Sequence, residues 1–130
     1  MKKVTAAIIF KNNHVLLTRR SIDQSLGGYW EFPGGKMENN ETPQECIERE
    51  LFEELGVGAT AGKIICESVY EYDHGVIKLL AIETKIESEN FTLSVHDKIE
   101  WVQPKDLMNY KLAQADIPIA KTIIEKSSNV

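Results

Sequence analysis

The sequence predicts a mixed α/β layered domain, and two observations carry this prediction. The first is a well-marked helix that begins at Pro43 and stops before Gly56, with strand-like segments on both sides. The second is another helix pattern near the C-terminus, and strands around two helices suggest a layered α/β fold. At 130 residues the chain is expected to form one domain, residues 1–130, large enough to bury its own core.

The first third of the chain predicts two paired strands and a loop. β-Branched and aliphatic side chains dominate "VTAAIIF" and "HVLLTRR", and the polar "KNN" between them fits a turn. The opening apolar run is short and interrupted by Thr5, so we interpret it as a first strand and not as a signal peptide. "SIDQSLGGYWEFPGG" contains two Gly-Gly pairs and a proline, which predict a loop.

The central helix has the clearest signals in the sequence. Thr42 is a good N-cap, Pro43 occupies the first helical position, and Glu45 completes a T-x-x-E capping box. Gly56 follows the last periodic residue, as is typical of a helix end. The apolar residues that recur every fourth position are Ile47, Leu51 and Leu55. These three define the stripe that we expect to be buried.

The second half predicts three more strands and a final helix. The strand-like segments are "KIICESVYEY", "GVIKLLAIETKI" and "IEWVQP". "KDLMNYKLA" fits a short helix or turn, and "DIPIAKTIIEK" predicts a C-terminal helix with Asp116 as its cap. The tail, residues 126–130, is expected to fray.

Composition limits the classes of partner. The net charge of −5 argues against a broad nucleic-acid surface, which needs a basic patch, but it leaves room for a single nucleotide. No segment approaches the length of a membrane span. The two cysteines form neither a disulfide framework nor a metal-ligand set, so a reducing compartment is expected. The predicted location is therefore the cytoplasm.

Seven glutamates and a single arginine crowd into the segment from Gly34 to Val57. On a helical wheel Glu50, Glu53 and Glu54 share one face, beside the apolar stripe; a merely solvated acidic face would lie opposite it. Carboxylates at the edge of a core are partly desolvated, so their mutual repulsion matters more. A divalent cation would neutralise them, and oxygen ligands without His or Cys favour Mg²⁺ or Mn²⁺. Magnesium usually completes its shell with substrate phosphates, which points to phosphate chemistry.

The same segment carries a complete motif at fixed spacing. Gly35, five residues, Glu41, seven residues and then "RELFEELGV" resemble the Nudix box, G-x5-E-x7-R-E-U-x-E-E-x-G-U, where U is bulky and aliphatic. Every fixed position matches. The stretches "LLTRR", "WEFPGGK", "EWVQPKDL" and "YKLAQADIPIAKTI" extend the resemblance to the MutT-like branch, and the last is similar to its CTP pyrophosphohydrolases. That branch hydrolyses nucleoside triphosphates to monophosphate and pyrophosphate.

The resemblance implies a fold and a catalytic centre. The fold would be the Nudix-type α/β/α sandwich with a mixed β-sheet. The implied ligands of Mg²⁺, with Mn²⁺ as a substitute, are Gly35 through a backbone carbonyl, Glu50, Glu53 and Glu54. The implied catalytic residues are Arg49, Glu50 and Glu53. Glu50 would be either a metal ligand or the base that activates water, and Arg49 would pair with a carboxylate such as Glu41.

Four residues outside the acidic helix are candidates for substrate binding: Arg20, Glu31, Phe32 and Asp116. Arg20 ends the second strand and is a candidate phosphate contact, although a strand-end arginine is more often a surface charge. Phe32 is a candidate for stacking on a base, with a place in the core as the alternative. Asp116 either caps the last helix or accepts a hydrogen bond from an exocyclic amine such as cytosine N4, and its two oxygens could do both.

One position departs from the family pattern. The family often carries a further glutamate, as a metal ligand or base, in the loop before the strand that ends in tryptophan. Counting back from Trp101, that position is Val95. Asp97, Glu100 and His96 are the possible substitutes, so the identity of the general base stays open.

The expected activity is metal-dependent hydrolysis of nucleoside and deoxynucleoside triphosphates, including oxidised or modified ones, to monophosphate and pyrophosphate. Modified guanine nucleotides such as 8-oxo-dGTP and cytidine-type nucleotides are the leading candidates. The alternatives are a Nudix hydrolase of another diphosphate-linked metabolite, such as ADP-ribose, and a non-catalytic nucleotide-binding module. The expected partner is a small nucleotide, with no nucleic-acid polymer and no membrane, and the chain is expected to be a monomer or a homodimer.

Overall fold

The computed structural model describes residues 1–73 and 75–128, which form seven strands, two α-helices and two 3₁₀-helices. The strands are β1 (Lys2–Ile8), β2 (Phe10–Lys11), β3 (His14–Arg20), β4 (Trp30–Glu31), β5 (Ala59–Tyr72), β6 (Gly75–Ile86) and β7 (His96–Val102). The α-helices are α1 (Pro43–Leu55) and α2 (Ile117–Ser128), and the 3₁₀-helices are Pro104–Asn109 and Gln114–Asp116. Within these ranges no helix has the length and apolar character needed to cross a membrane.

The strands form two sheets. In the first, β6 lies between β1 and β5, and it runs parallel to β1 and antiparallel to β5, so this sheet is mixed. In the second, β3 pairs with β2, β4 and β7, and all three pairings are antiparallel.

Two hydrophobic cores lie on opposite faces of the strands. Ala6 and Ile8 belong to one core, whereas Ala7 and Ile9 belong to the other, because neighbouring side chains of an extended strand point to opposite faces. The first core also contains apolar residues of α2, and the second contains those of α1. The strands are therefore covered by a helix on each side, which confirms the expected α/β/α sandwich with a mixed sheet.

The local signals that predict α1 are all used in the structure. Thr42 Oγ1 accepts a hydrogen bond from Glu45 N at 3.0 Å, and Glu45 Oε1 accepts one from Thr42 N at 2.9 Å. Gly56 is left-handed, with φ of 68°, and its amide donates to the Phe52 carbonyl. The stripe of fully buried residues is Ile47, Leu51 and Leu55. Burying each of these side chains stabilises the fold by about 1.5–3 kcal/mol, which fixes the acidic face beside them.

Two details differ from the sequence prediction. The loop after β3 contains the short strand β4, because Trp30 and Glu31 pair with residues of β3. Helix α2 continues to Ser128, so residues 126–128 are helical where a frayed tail was expected. Residues 129 and 130 of that tail lie outside the described residues.

Candidate active site

A cavity of about 740 Å³ is lined by residues from β3, the segment that follows it, α1, the ends of β5 and β6, and the approach to α2. Seven of the nine site residues predicted from the sequence line it: Arg20, Glu31, Phe32, Gly35, Glu50, Glu54 and Asp116. Arg49 and Glu53 do not line it, but Arg49 contacts Glu50 of the cavity wall and also pairs with Glu53. The fold thus gathers candidates that are far apart in the sequence around one space.

Arg49 ties the acidic helix to the loop before it. Its Nε and Nη2 atoms donate to the two carboxylate oxygens of Glu41 at 2.6 and 3.0 Å, so the expected pair is present. Its Nη1 atom donates to Glu50 Oε1 at 2.9 Å and to Glu53 Oε1 at 3.0 Å. Nη2 also reaches the Lys36 carbonyl at 3.1 Å. The hydrogen bonds from Arg49 lower the pKa of Glu41 to about 2, which keeps this carboxylate charged.

Gly35 is required by its contact with Glu50. A Cβ atom at position 35 would overlap with the carboxyl group of Glu50, so any other residue would displace that carboxyl group from its present position. The Gly35 carbonyl oxygen accepts hydrogen bonds from Thr5 N at 2.8 Å and from Thr5 Oγ1 at 3.1 Å, and a longer one from Cys46 Sγ at 3.5 Å. Within the described residues the Gly34 carbonyl accepts none, so a backbone ligand from this turn is more readily supplied by Gly34 than by Gly35.

Changing Gly35 to alanine is expected to lower kcat/KM by about 30-fold, because the new methyl group displaces the Glu50 carboxylate and small misplacements of reacting groups cost this much. The measurement is the rate of nucleotide hydrolysis, together with the melting temperature. Gly62→Ala in β5 is the matched control, since its methyl group would meet only the Glu83 carbonyl oxygen at 3.1 Å. Equal activity of the two variants would contradict the importance of the Gly35–Glu50 contact.

Glu54 is a half-buried residue whose carboxyl group is only partly compensated by the positive charge of Arg20. Its Oε1 atom is buried and has no hydrogen-bond partner among the described residues. Burial, followed by the negative charges of Glu31 and Glu50, raises the pKa of Glu54 to about 8. Burial also raises the pKa of Glu50, although the Arg49 guanidinium opposes this. At neutral pH such a group is tolerated either because it keeps its proton or because a bound cation neutralises its charge.

The donor set fits a hard divalent cation, and three side chains would supply it: Glu50, Glu53 and Glu54. Within the described parts of the chain, no three acidic, imidazole or thiol side chains are already converged on one point. The reason lies in Arg49, which holds one oxygen each of Glu50 and Glu53. Glu53 is 57% exposed and can turn towards a cation, while the orphaned Glu54 oxygen is the atom that most needs one.

Arg20 and Glu31 form a pair in the cavity wall. Arg20 Nη1 lies 3.2 Å from Glu31 Oε2, and Arg20 Nε donates to the Ser25 carbonyl at 2.6 Å. Both side chains are largely buried, at 17% and 15% exposure, so Arg20 is not an ordinary surface charge. His96 Nε2 lies 2.9 Å from the same Glu31 oxygen.

Asp116 directly precedes α2, but among the described residues its side chain makes no hydrogen bond to an amide of that helix. Its Oδ1 atom accepts a hydrogen bond from the Phe32 amide at 3.1 Å, across 84 positions of the chain. Asp116 is 6% exposed, and burial together with the negative charge of Glu31 raises its pKa well above the ordinary value. The carboxyl group lines the cavity and joins the segment after β4 to the start of α2.

None of the three substitutes for the glutamate missing at Val95 lines the cavity. Asp97 pairs with Arg19 at 2.8 Å, and Glu100 accepts a hydrogen bond from Tyr110 at 2.6 Å. His96 is buried directly behind Glu31. The sequence left His96 as one of three options because nothing in its local pattern indicates which way it points.

Comparison with known proteins places this geometry in a family context. The model of the NUDIX domain matches residues 1–123, a range that includes every predicted site residue. A CTP pyrophosphohydrolase from Escherichia coli (strain K12) is 34% identical over 124 residues, which are 95% of this chain and 92% of that protein. An 8-oxo-dGTP diphosphatase from Proteus vulgaris is 50% identical over 50 residues, which are 38% of this chain and 45% of that protein.

A solved structure supports the same relationship. The solution NMR structure of the DNA mismatch repair protein MutT from methicillin-resistant Staphylococcus aureus 252 superposes with a TM-score of 0.75. It is 37% identical in sequence and 96% of each chain is covered. The similarity therefore extends over the whole domain and is not confined to the acidic helix.

Proposed function

This chain belongs to the Nudix hydrolase family, and from that premise we propose that it hydrolyses nucleoside and deoxynucleoside triphosphates to nucleoside monophosphate and pyrophosphate. The observation that carries the proposal is a single cavity that has the acidic helix on one side and Asp116 and Phe32 on another. A volume of about 740 Å³ lies within the range of small-molecule sites. The names of the two relatives, CTP pyrophosphohydrolase and 8-oxo-dGTP diphosphatase, support substrates that include oxidised or modified nucleotides.

Glu50, Glu53 and Glu54 are the residues proposed to hold Mg²⁺, with Mn²⁺ as a substitute. A bound ion of this kind neutralises phosphate charge and lowers the pKa of a water ligand. The role of Arg49 is to hold the carboxylate of Glu50 against Gly35 through the 2.9 Å contact from Nη1. This contact orients Glu50 before substrate binds, and a catalytic group that is held in the reactive geometry lowers the activation barrier.

Glu50 is also the residue proposed to move a proton. Its Oε1 atom is engaged by Arg49, which leaves Oε2 as the atom that accepts a proton from water attacking the β-phosphorus. Its raised pKa makes this carboxylate a stronger base than an exposed one. Attack at the β-phosphorus releases the nucleoside monophosphate as the leaving group, and Arg20 supplies a guanidinium in the same wall for phosphate oxygens.

The base of the nucleotide is proposed to lie against Phe32 and Asp116. Asp116 Oδ1 is engaged by the Phe32 amide, so Oδ2 is the atom left for the substrate. As a carboxylate, Asp116 accepts from an exocyclic amine such as cytosine N4; with its raised pKa it also exists as an acid that donates to a base acceptor. Both cytidine-type and modified guanine nucleotides are therefore compatible with the same residue.

The test is pyrophosphate release from a panel of nucleotides in Mg²⁺: 8-oxo-dGTP, dGTP, CTP, dCTP, 5-methyl-dCTP and 2-hydroxy-dATP, with ADP-ribose beside them. We expect pyrophosphate and monophosphate from one group of triphosphates, with either the cytidine compounds or 8-oxo-dGTP leading in kcat/KM. Cleavage of ADP-ribose alone would replace the proposal by the other Nudix activity. Tight binding of triphosphates without turnover would favour a binding module.

We further infer that the enzyme acts on free nucleotides in a reducing compartment such as the cytoplasm. Both cysteines, Cys46 and Cys66, are free. The acidic helix in the cavity wall would repel a polyanionic polymer. Light scattering of the purified chain, with and without nucleotide, distinguishes a monomer from a homodimer.

A further inference from the structure

A β-bulge between β3 and β7 turns His96 towards the interior. Arg19 pairs with Lys98 and Arg20 pairs with His96, so Asp97 is left over between the two pairs. Bulges of this kind redirect the side chains next to them. The His96 side chain is completely buried, while Asp97 faces outward and forms hydrogen bonds of 2.8 and 3.0 Å with Arg19.

The buried imidazole makes one polar contact. His96 Nε2 lies 2.9 Å from Glu31 Oε2, and the same oxygen accepts from Arg20 Nη1 at 3.2 Å. His96 Nδ1 is also buried but has no hydrogen-bond partner among residues 1–73 and 75–128. Because a carboxylate oxygen only accepts, Nε2 is the nitrogen that carries the hydrogen.

A purely structural role does not explain a histidine at this position. Burying an unpaired nitrogen costs stability, and an apolar side chain of similar size would avoid that cost. The benefit of the imidazole must therefore lie in its single contact, the hydrogen bond to Glu31. Glu31 and Arg20 both line the cavity, whereas His96 does not.

We propose that His96 is a positioning residue whose Nε2–H group fixes the Glu31 carboxylate and, through it, the guanidinium of Arg20 in the cavity wall. This inference rests on the proposed function, because Arg20 is the group assigned to the phosphates. Arg20 Nε is held by the Ser25 carbonyl and Nη1 by Glu31, so Nη2 is the donor left for the substrate. Without His96, Glu31 can rotate about its side-chain bonds, and the direction of Nη2 is no longer set.

The test compares two substitutions at one position. His96→Leu removes the donor and keeps an apolar side chain, whereas His96→Gln keeps an N–H donor at about the reach of Nε2. We expect His96→Leu to lower kcat about tenfold while KM changes less than about twofold, since Arg20 still reaches the phosphates but no longer holds them in the orientation that the chemical step needs. His96→Gln is expected to restore most of kcat. Asp97→Asn, the next residue on β7, is the matched control and is expected to behave like the wild type.

A double-mutant cycle separates positioning from general loosening of the fold. If His96 acts through Glu31, then His96→Leu has no further effect on kcat in a Glu31→Gln background. Losses that multiply, or equal losses in His96→Leu and His96→Gln, would overturn the inference. Melting temperatures of all variants are measured beside the kinetics. If His96→Leu does not fold, the kcat of His96→Gln is compared with that of the Asp97→Asn control, and a loss in His96→Gln alone would overturn the inference.

A second readout keeps this inference separate from the proposed function. Absence of turnover of every triphosphate by the wild type would defeat the proposed function. Imidazole ¹⁵N NMR of the unliganded protein still tests the contact: a hydrogen on His96 Nε2 whose signal shifts in Glu31→Gln is the expected result. A hydrogen on His96 Nδ1, or a His96 signal that does not change in Glu31→Gln, overturns the proposed contact.

Discussion

Replacing Glu54 by glutamine is expected to lower kcat/KM for nucleoside triphosphates by about 1,000-fold, the scale of losing one strong electrostatic contact at a reacting centre. Glutamine has the same shape as glutamate, so the effect reports the charge and not the packing. Glu54 Oε1 is buried without a partner, which makes this carboxylate the one that most needs a cation. The measurement is pyrophosphate release at saturating Mg²⁺; a loss of less than about tenfold would remove Glu54 from the proposed ligand set.

The same substitution is expected to stabilise the protein at high pH when divalent cations are removed. Burial first, and the charges of Glu31 and Glu50 next, raise the pKa of Glu54 from 4.5 to about 8 in the folded chain. The folded state therefore binds this proton more tightly than the unfolded state. The resulting stabilisation is complete below a pH of about 4.5 and is lost as the pH rises through about 8. The glutamine side chain does not ionise, so it has no such loss.

Thermal unfolding in EDTA at two pH values measures this effect. We expect the melting temperature of Glu54→Gln to exceed that of the wild type by more near pH 9 than near pH 5. Glu53→Gln is a suitable control because the Glu53 side chain is 57% exposed, so its carboxylate carries little burial cost. A difference between Glu54→Gln and wild type that does not grow with pH would contradict the raised pKa.

Replacing Arg49 by methionine is expected to lower kcat/KM about 100-fold, because the Glu50 carboxylate loses the contact that orients it. The free energy of unfolding should fall by about 1–2 kcal/mol, a value kept modest because the Arg49 side chain is 25% exposed. Arg49→Lys keeps the charge without the planar fork that reaches several carboxylates, so we expect an intermediate result. Urea unfolding and steady-state kinetics measure the two effects.

Acid unfolding tests the same pairing from the other side. Arg49 lowers the pKa of Glu41 to about 2, so this pair contributes stability above the ordinary value of 4.5 and loses it as pH falls through about 2. In Arg49→Met the Glu41 carboxyl protonates at a higher pH. The difference in free energy of unfolding between the wild type and Arg49→Met should therefore shrink as the pH is lowered. A difference that stays constant down to acid unfolding would contradict the role of Arg49.

The elements that could be predicted from the sequence are those whose causes are local. Helix α1 is specified by Thr42, Glu45 and Gly56 within one short segment, and each makes the predicted contact. Its acidic face follows from the spacing of side chains along one helix. The α/β/α arrangement follows from the order of strands and helices, and the two cores confirm it.

The features that escaped prediction depend on contacts between distant segments. The direction of His96 is set by a bulge in its pairing with β3, and the partner of Asp116 is an amide 84 positions away. The two hydrogen bonds that Thr5 of β1 donates to the Gly35 carbonyl oxygen are another contact of this kind. Periodicity and capping rules describe one element at a time, so they contain no information about these partners.

The parallel pairing of β1 with β6 also has a consequence for how the enzyme is made. β1 faces residues 77–83, so the first strand must find a partner about 75 positions later, and non-local pairings of this kind form slowly. At about 5–20 residues per second, synthesis of that intervening stretch takes roughly 4–15 s. Throughout this interval Thr5 has no completed sheet to hold it beneath Gly35. The nascent chain therefore cannot have a working catalytic centre until β6 has been synthesised.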